Sequence, residues 1–274
     1  MSIKSQITEK LLLLVLDGCR YDTAVEQMGI LNHHVDYKQA QLIKVHAEMP
    51  SSARPLYEVL ATGVPSYRNG ILTNADGQHS KELSIFDLVK AAGGSTAAAA
   101  HYWQSELFNQ APYEIKRDSI QHDHKKSIQH GIFYSENQYP DSHVFADGHY
   151  LLHTYQPNLL LIHSMNIDAA GHRYTAVSKE YRKAVNQADQ LIGLYLHDWL
   201  AAGYQVIVTA DHGMDEYGLH GGSMAAHREV PLYIFSDIFP PDCGIEKMNQ
   251  LELAPLICSL LKIDTSERMQ IGRS

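Results

Sequence analysis

Leu11-Leu12-Leu13-Leu14-Val15-Leu16-Asp17 is six apolar residues without a break, closed by a carboxylate. A strand with one wet face alternates apolar and polar residues; a strand covered on both faces does not. Six residues are too few for a membrane span of about 20. No small-residue cleavage site follows, which argues against a signal peptide. The run therefore reads as a buried strand in a chain expected to be cytoplasmic and free of the membrane. The same pattern returns at 159–163 (LLLIH), 205–209 (QVIVT) and 231–235 (PLYIF). Residues 95–101 (STAAAAH) fit strand or helix equally well by pattern.

Helical patterns lie between these runs, at 83–92, 144–155, 178–202 and 251–261. In the longest, Tyr181, Val185, Ala188, Ile192, Tyr195 and Trp199 recur at spacings of three and four, marking one buried face. Gly203 is a natural stop. Strands alternating with helices predict an α/β fold with a mainly parallel central sheet and helices on both faces. The 274 residues fit a single domain over 1–274. Residues 111–142 break the rhythm; they read as an excursion over the site or a plain surface loop.

With 45% hydrophobic and 19% charged residues the composition is globular rather than disordered. Lys and Arg number 22 against 31 Asp and Glu, a net charge of −9. That balance argues against coating nucleic acid, which needs clustered cations. It leaves room for a phosphorylated substrate, because bound metal ions reverse the local field. The cysteines Cys19, Cys243 and Cys258 are odd in number and far apart. They exclude a disulfide scaffold and fit a reducing compartment.

Three apolar runs end at or near an aspartate: Asp17, Asp168 and Asp211. In an open parallel sheet ligands bind beyond the carboxyl ends of the strands, so these carboxylates should converge there. Three anions in one place repel one another unless a cation neutralises them. Histidines complete the pattern. Asp168 and His172 are four residues apart, on one face of a helical turn. His212 adjoins Asp211, and His220 precedes Gly221-Gly222, with His227 a further candidate. Three Asp and three His suffice for two metal ions, zinc first, with manganese or iron as alternatives. His101 and His163 read as core groups or as residues behind the ligands. His33, His34, His122, His124 and His130 read as surface residues.

The motifs Asp168-x-x-x-His172, Ala210-Asp211-His212-Gly213-Met214 and His220-Gly221-Gly222, with Asp17 after its strand, resemble the alkaline phosphatase superfamily. Residues 50–57 (PSSARPLY), followed by 61–65 (ATGVP) and 69–71 (NGI), resemble the nucleophile segment of its type I phosphodiesterase/nucleotide pyrophosphatase branch. The resemblance implies that Asp168, His172 and His220 hold one metal and that Asp17, Asp211 and His212 hold the other. It also implies a Ser or Thr nucleophile and a small phosphorylated substrate, such as a nucleotide.

The chain departs from that pattern at one place. Counting back from Gly63, with Pro55 as a second anchor, the nucleophile position falls on Ala53. Ser52 stands one residue earlier as an alternative nucleophile. A direct attack by water and an inactive chain are the other two explanations. Arg54 reads as a contact to substrate phosphate or a partner of a surface acid. Asn69 stands where relatives often carry His. Tyr102 and Trp103 read as pocket or core, and Thr62 and Tyr67 as candidates for shaping specificity. A sulfatase is disfavoured because residues 51–54 lack the proline of that family's signature. A phosphomutase is disfavoured because no large inserted domain fits. A metal- and phosphate-binding pseudoenzyme stays open on the strength of Ala53.

Overall fold

The computed structural model describes residues 7–241 and 244–269, so Cys243 lies outside the described residues. The strands are β1 (Leu11–Leu16), β2 (Gln41–His46), β3 (Thr96–His101), β4 (Ile120–His122), β5 (His130–Tyr134), β6 (Leu159–Ser164), β7 (Gln205–Thr209), β8 (Glu229–Phe235) and β9 (Lys247–Asn249). They form one sheet in the order β4-β5-β3-β6-β1-β7-β8-β2-β9. From β5 to β7 all neighbours are parallel. β8 runs against both β7 and β2, β4 runs against β5, and β2 and β9 are parallel.

β1 lies mid-sheet between β6 and β7, every residue buried, as its unbroken apolar run predicts. The ambiguous run at 95–101 is strand β3. Its alanines are buried between β5 and β6, where pairing on both edges outweighs alanine's preference for helix. The run at 231–235 is also a strand, but antiparallel. β2 escaped the sequence reading because it is half-buried: Gln41, Ile43 and Val45 face in while Leu42, Lys44 and His46 are at least partly exposed.

The expected helices are present with shifted ends. Ser84 caps Ile85–Ala91 and Ser178 caps Lys179–Ala201, each hydroxyl accepting a backbone N–H of the first turn. The helix expected at 144–155 begins earlier and covers Asp141–Tyr155. The one expected at 251–261 divides into a 3-10 turn, Gln250–Glu252, and a helix, Leu253–Leu260. The helices pack as two groups. Tyr21–Gln27, Gly29–Asp36 and Asp141–Tyr155 gather around Lys179–Ala201; Ile85–Ala91, Tyr102–Phe108 and Leu253–Leu260 gather around Ala53–Thr62. β3 touches members of both groups, which places them on opposite faces of the sheet.

Residues 111–142 contribute the short helix Ile115–Asp118 and strands β4 and β5. Much of this segment is thus one edge of the sheet. Its last part packs behind the strand ends, where the Tyr134 hydroxyl donates to the carbonyl of His163 (2.7 Å) and the Tyr134 ring stacks on Tyr139. Among the described residues no helix is long and apolar enough to cross a membrane.

Candidate active site

Asp17, Asp168 and Asp211 follow the carboxyl ends of β1, β6 and β7, three adjacent parallel strands, and all three are buried. Asp168 stands in the first turn of the helix Asn166–Tyr174, one turn before His172. Two glycines let the chain segments close in. Gly18 has φ +73°, and a Cβ there would lie 2.9 Å from the Cα of Asp168. Gly218 has φ +77°, and a Cβ there would lie 2.7 Å from the carbonyl oxygen of Gly171.

Two of the three carboxylates are held from one side. Asp17 Oδ2 accepts the Tyr57 hydroxyl and faces His163 Nε2 at 3.2 Å. Asp211 Oδ1 accepts the Gly18 N–H at 3.2 Å. On the other side, among the described residues, Asp17 Oδ1, Asp168 Oδ1, Asp211 Oδ2 and His212 Nε2 are buried with no hydrogen-bond partner. An orphaned buried polar group costs about 1–3 kcal/mol. Four such atoms at the carboxyl ends of adjacent strands mark a place where a bound cation would satisfy them.

The imidazoles are oriented in a common way. His172 Nδ1 faces the carbonyl of Gly218 (2.8 Å), His212 Nδ1 that of Gly213 (2.9 Å) and His220 Nδ1 that of Ser51 (3.0 Å). A carbonyl only accepts, so the proton sits on Nδ1 and Nε2 presents a lone pair, the usual arrangement of a metal-ligating histidine. His172 Nε2 and His220 Nε2 lie 3.2 Å apart, and 3.4 and 3.8 Å from Asp168 Oδ1. His212 Nε2 lies 3.4 Å from Asp17 Oδ1 and 3.3 Å from Asp211 Oδ2. A cation placed between them would satisfy these facing lone pairs.

The electrostatics agree. Burial drives Asp168 and Asp211 far above the usual carboxylate range, and the Asp17 charge adds to both shifts. Burial opposes charge on Asp17 too, but the His163 side chain and the Tyr57 hydroxyl, both at Oδ2, hold its carboxyl low. Burial, reinforced by His220, pushes His212 down to about 3, so its ring is neutral. A divalent cation would let all three carboxylates ionise, and the oxygen and nitrogen donors suit a late first-row ion. Among the described residues, two groups of donors lie close enough to share an ion: Asp168, His172 and His220, and Asp17, Asp168 and His212. Asp211 borders the second through His212.

The helix Ala53–Thr62 points its first turn at this edge. Ser51 donates its hydroxyl to the carbonyl of Gly222 (2.6 Å). Ser52 precedes the helix in extended conformation, and its Oγ lies 3.2 Å from where a Cβ on Gly221 would stand. Ala53 is buried and shares a helix face with Tyr57, one turn on, whose hydroxyl reaches Asp17. Ala53 thus stands on the side that faces Asp17, whereas Ser52 turns toward Gly221.

Other expected residues occupy other places. Arg54 is buried: Nη2 binds Glu106 Oε2 (2.6 Å), Nη1 donates to the Asp76 carbonyl (2.9 Å) and the guanidinium lies 4.7 Å from the centre of the Trp103 ring. Its acid partner is interior, not on the surface. Asn69 builds a turn, donating to the Val64 carbonyl (2.9 Å) and accepting the Ile71 N–H (2.8 Å). Thr62 is buried and donates to the Glu58 carbonyl, while Tyr67 is exposed. His101 is buried against Tyr102, Trp103 and Tyr134. His227 accepts the Gly222 N–H on Nδ1 (3.0 Å) and faces Asp215 Oδ2 with Nε2 (3.1 Å). Asp215 Oδ1 accepts the N–H groups of Tyr217 and Leu219, so the pair shapes the loop that presents His220.

Two residues of the site escaped the sequence reading. Tyr57 lies one turn beyond Ala53, and that spacing was the available signal. Asn74, whose Oδ1 accepts the Arg54 N–H at the head of the helix (3.0 Å), belongs to an irregular exposed stretch with no spacing rule to reveal it.

Comparison with known proteins is consistent with this geometry. GPI ethanolamine phosphate transferase 3 of Schizosaccharomyces pombe is 23% identical over 93% of this chain, and the chain spans 28% of that relative. The structure of murine ectonucleotide pyrophosphatase / phosphodiesterase 5 shares the fold, with a TM-score of 0.77 at 14% identity, covering 97% of this chain and 98% of that one. An inactive form of that murine protein in complex with AMP gives 0.74 at 14% identity, covering 97% of each chain. Residues 11–220 match the family model for type I phosphodiesterase / nucleotide pyrophosphatase, a span that takes in Asp17, Ala53, Asp168, His172, Asp211, His212 and His220. The chain belongs to the type I phosphodiesterase / nucleotide pyrophosphatase family, within the alkaline phosphatase superfamily.

Proposed function

We propose that the strand-end centre binds two divalent metal ions, zinc first, and acts on the phosphodiester or pyrophosphate bond of a small phosphorylated substrate. Asp168, His172 and His220 hold one ion; Asp17, Asp211 and His212 hold the other. The observation that carries this reading is the set of four buried, unpartnered donor atoms beside three imidazoles whose Nδ1 atoms are already committed. When bound, such ions stabilise the charge that develops on the attacking and leaving oxygens of a phosphoryl displacement. Tyr57 and His163 hold Asp17 in place, and the Asp215–His227 pair holds the loop of His220. Asn74 lies beside the first backbone N–H groups of the helix, a position suited to a phosphate oxygen. A nucleotide is the favoured substrate class, because a relative of the same fold binds AMP. The cysteine usage favours a cytoplasmic setting.

Ala53 sets the chemistry apart. Its methyl group cannot attack phosphorus, so no covalent intermediate forms at that position, and turnover is left to water or to Ser52. The same alanine favours a second reading, a chain that binds metal and phosphate with little or no turnover. Metal content separates the centre from chance assembly. Asp211→Ala and His172→Ala, purified without chelator, should each retain one ion fewer than the parent. Parent-level metal in both variants would overturn the assignment.

A further inference from the structure

Asp168 and His172 ride on one short helix, Asn166–Tyr174, whose own N-cap residue, Met165, provides no side-chain cap. The first N–H groups of a helix have no partner within it, so an acceptor must come from elsewhere. Asp141 Oδ1 accepts the Asn166 N–H at 3.3 Å. The reverse contact is also made. The Asp141 N–H, at the start of the helix Asp141–Tyr155, donates to Asn166 Oδ1 at 3.1 Å. That helix follows Pro140, which provides no side-chain cap either. Two helices whose first residues stand 25 positions apart thus cap each other, each supplying the acceptor that the other's N-cap lacks. Asn166 Nδ2 closes the clamp on the Tyr139 carbonyl (2.8 Å). Asp141 is buried, a costly place for a carboxyl unless hydrogen bonds hold it. Its helix is fixed in turn: the buried Val144, Phe145, Leu151 and Leu152 lie on a helix packed against β3 and β6. Neither Asp141 nor Asn166 belongs to a donor group of the catalytic centre, so whatever they do for it they do through the helix.

We propose that Asp141 and Asn166 are positioning residues: their reciprocal cap fixes the helix that carries Asp168 and His172, and so sets the affinity for the ion held with His220. This rests on the two-ion reading above. Asp168 lies two residues beyond Asn166, in the same first turn, so a helix head that frays or shifts carries its carboxylate along. Binding constellations work only when held within about 0.5 Å of their geometry. The other ion depends on Asp17, Asp211 and His212, which follow β1 and β7 and lie outside this helix. Breaking the clamp therefore weakens one ion and spares the other.

Zinc titration of the full chain against a competing chelator, read as one dissociation constant for each ion, tests this. Asp141→Ala and Asn166→Ala should each weaken one ion about 10-fold or more and leave the other unchanged. Asn166→Ala is the milder change, so the test survives if Asp141→Ala does not fold. Asp141→Asn keeps an oxygen that accepts the Asn166 N–H and should restore most of the loss. Asp189→Ala is the control. Asp189 is a buried aspartate that caps a helix bearing no metal ligand, accepting the Ile30 and Leu31 N–H groups (2.8 and 3.1 Å). Its removal should lower the melting temperature and keep both zinc affinities. Two ions bound as tightly in Asp141→Ala and Asn166→Ala as in the parent would overturn the positioning proposal and leave the two-ion reading standing. So would an equal loss in Asp189→Ala. A parent that holds fewer than two ions would overturn the two-ion reading, and this proposal with it.

Discussion

The Tyr57 hydroxyl donates to Oδ2 of Asp17 from one helical turn beyond Ala53. That hydrogen bond ties the head of the helix to the end of β1, and it leaves Oδ1 as the carboxylate oxygen turned toward His212. Residues that fix a metal ligand from behind typically matter 10–100-fold in metal affinity or activity.

Tyr57→Phe keeps the ring and its packing and removes only the donor. Zinc affinity should fall about 10-fold or more, while the melting temperature of the metal-free protein changes little. Unchanged zinc affinity in a titration would mean that His163 alone is sufficient to hold Asp17.

His220 and His227 are seven residues apart in one loop but occupy different places. His220→Ala should remove one bound metal ion. His227→Ala should keep the ion count, because its two nitrogens are directed at Gly222 and Asp215. Elemental analysis of the two variants decides the matter, and loss of an ion only from His227→Ala would reverse the assignment.

Arg54→Ala should act on stability. It would strand the nearly buried Glu106 carboxylate, and removing one partner of a buried ion pair costs about 3–5 kcal/mol. Denaturant unfolding measures this. A loss below about 1 kcal/mol, the range of exposed pairs, would contradict the buried-pair account.

Glu58 offers a pH test away from the metal ligands. Burial, with Glu82 and Asp87 adding, raises its carboxyl from 4.5 to about 8 against the pull of the Ser80 hydroxyl. The folded chain therefore keeps a proton that the unfolded chain releases between about pH 4.5 and 8, and stability contributed by this group is lost as pH rises through that window. Glu58→Gln cannot release a proton. Its stability relative to the parent should grow from pH 4.5 to pH 8 by up to about 1.4 kcal/mol per pH unit. A difference that stays constant across the window would contradict a raised Glu58.

What could be read in advance follows the physics of each element. The strands ending near Asp17, Asp168 and Asp211 were legible because buried parallel strands are apolar without a break, and their adjacency brings the three carboxylates together. β2 was not, because it alternates, and β5 was not, because five residues with a histidine and a glycine carry little signal. The Arg54 partner, Glu106, is 52 residues away in sequence, and no local pattern predicts such a pairing. The register of its helix against β1 makes Tyr57 a partner of Asp17.

The account turns on Ala53, and hydrolysis of an aryl phosphodiester by the zinc-loaded chain tests it most directly. The parent should turn over slowly or not at all. Ala53→Ser should be faster by on the order of 10² or more, about 2.7 kcal/mol of barrier, because a hydroxyl on the helix face of Tyr57 restores a nucleophile toward Asp17. Ser52→Ala should leave the parent rate unchanged, since Ser52 turns toward Gly221. An already active parent, abolished by Ser52→Ala and indifferent to Ala53→Ser, would contradict the account.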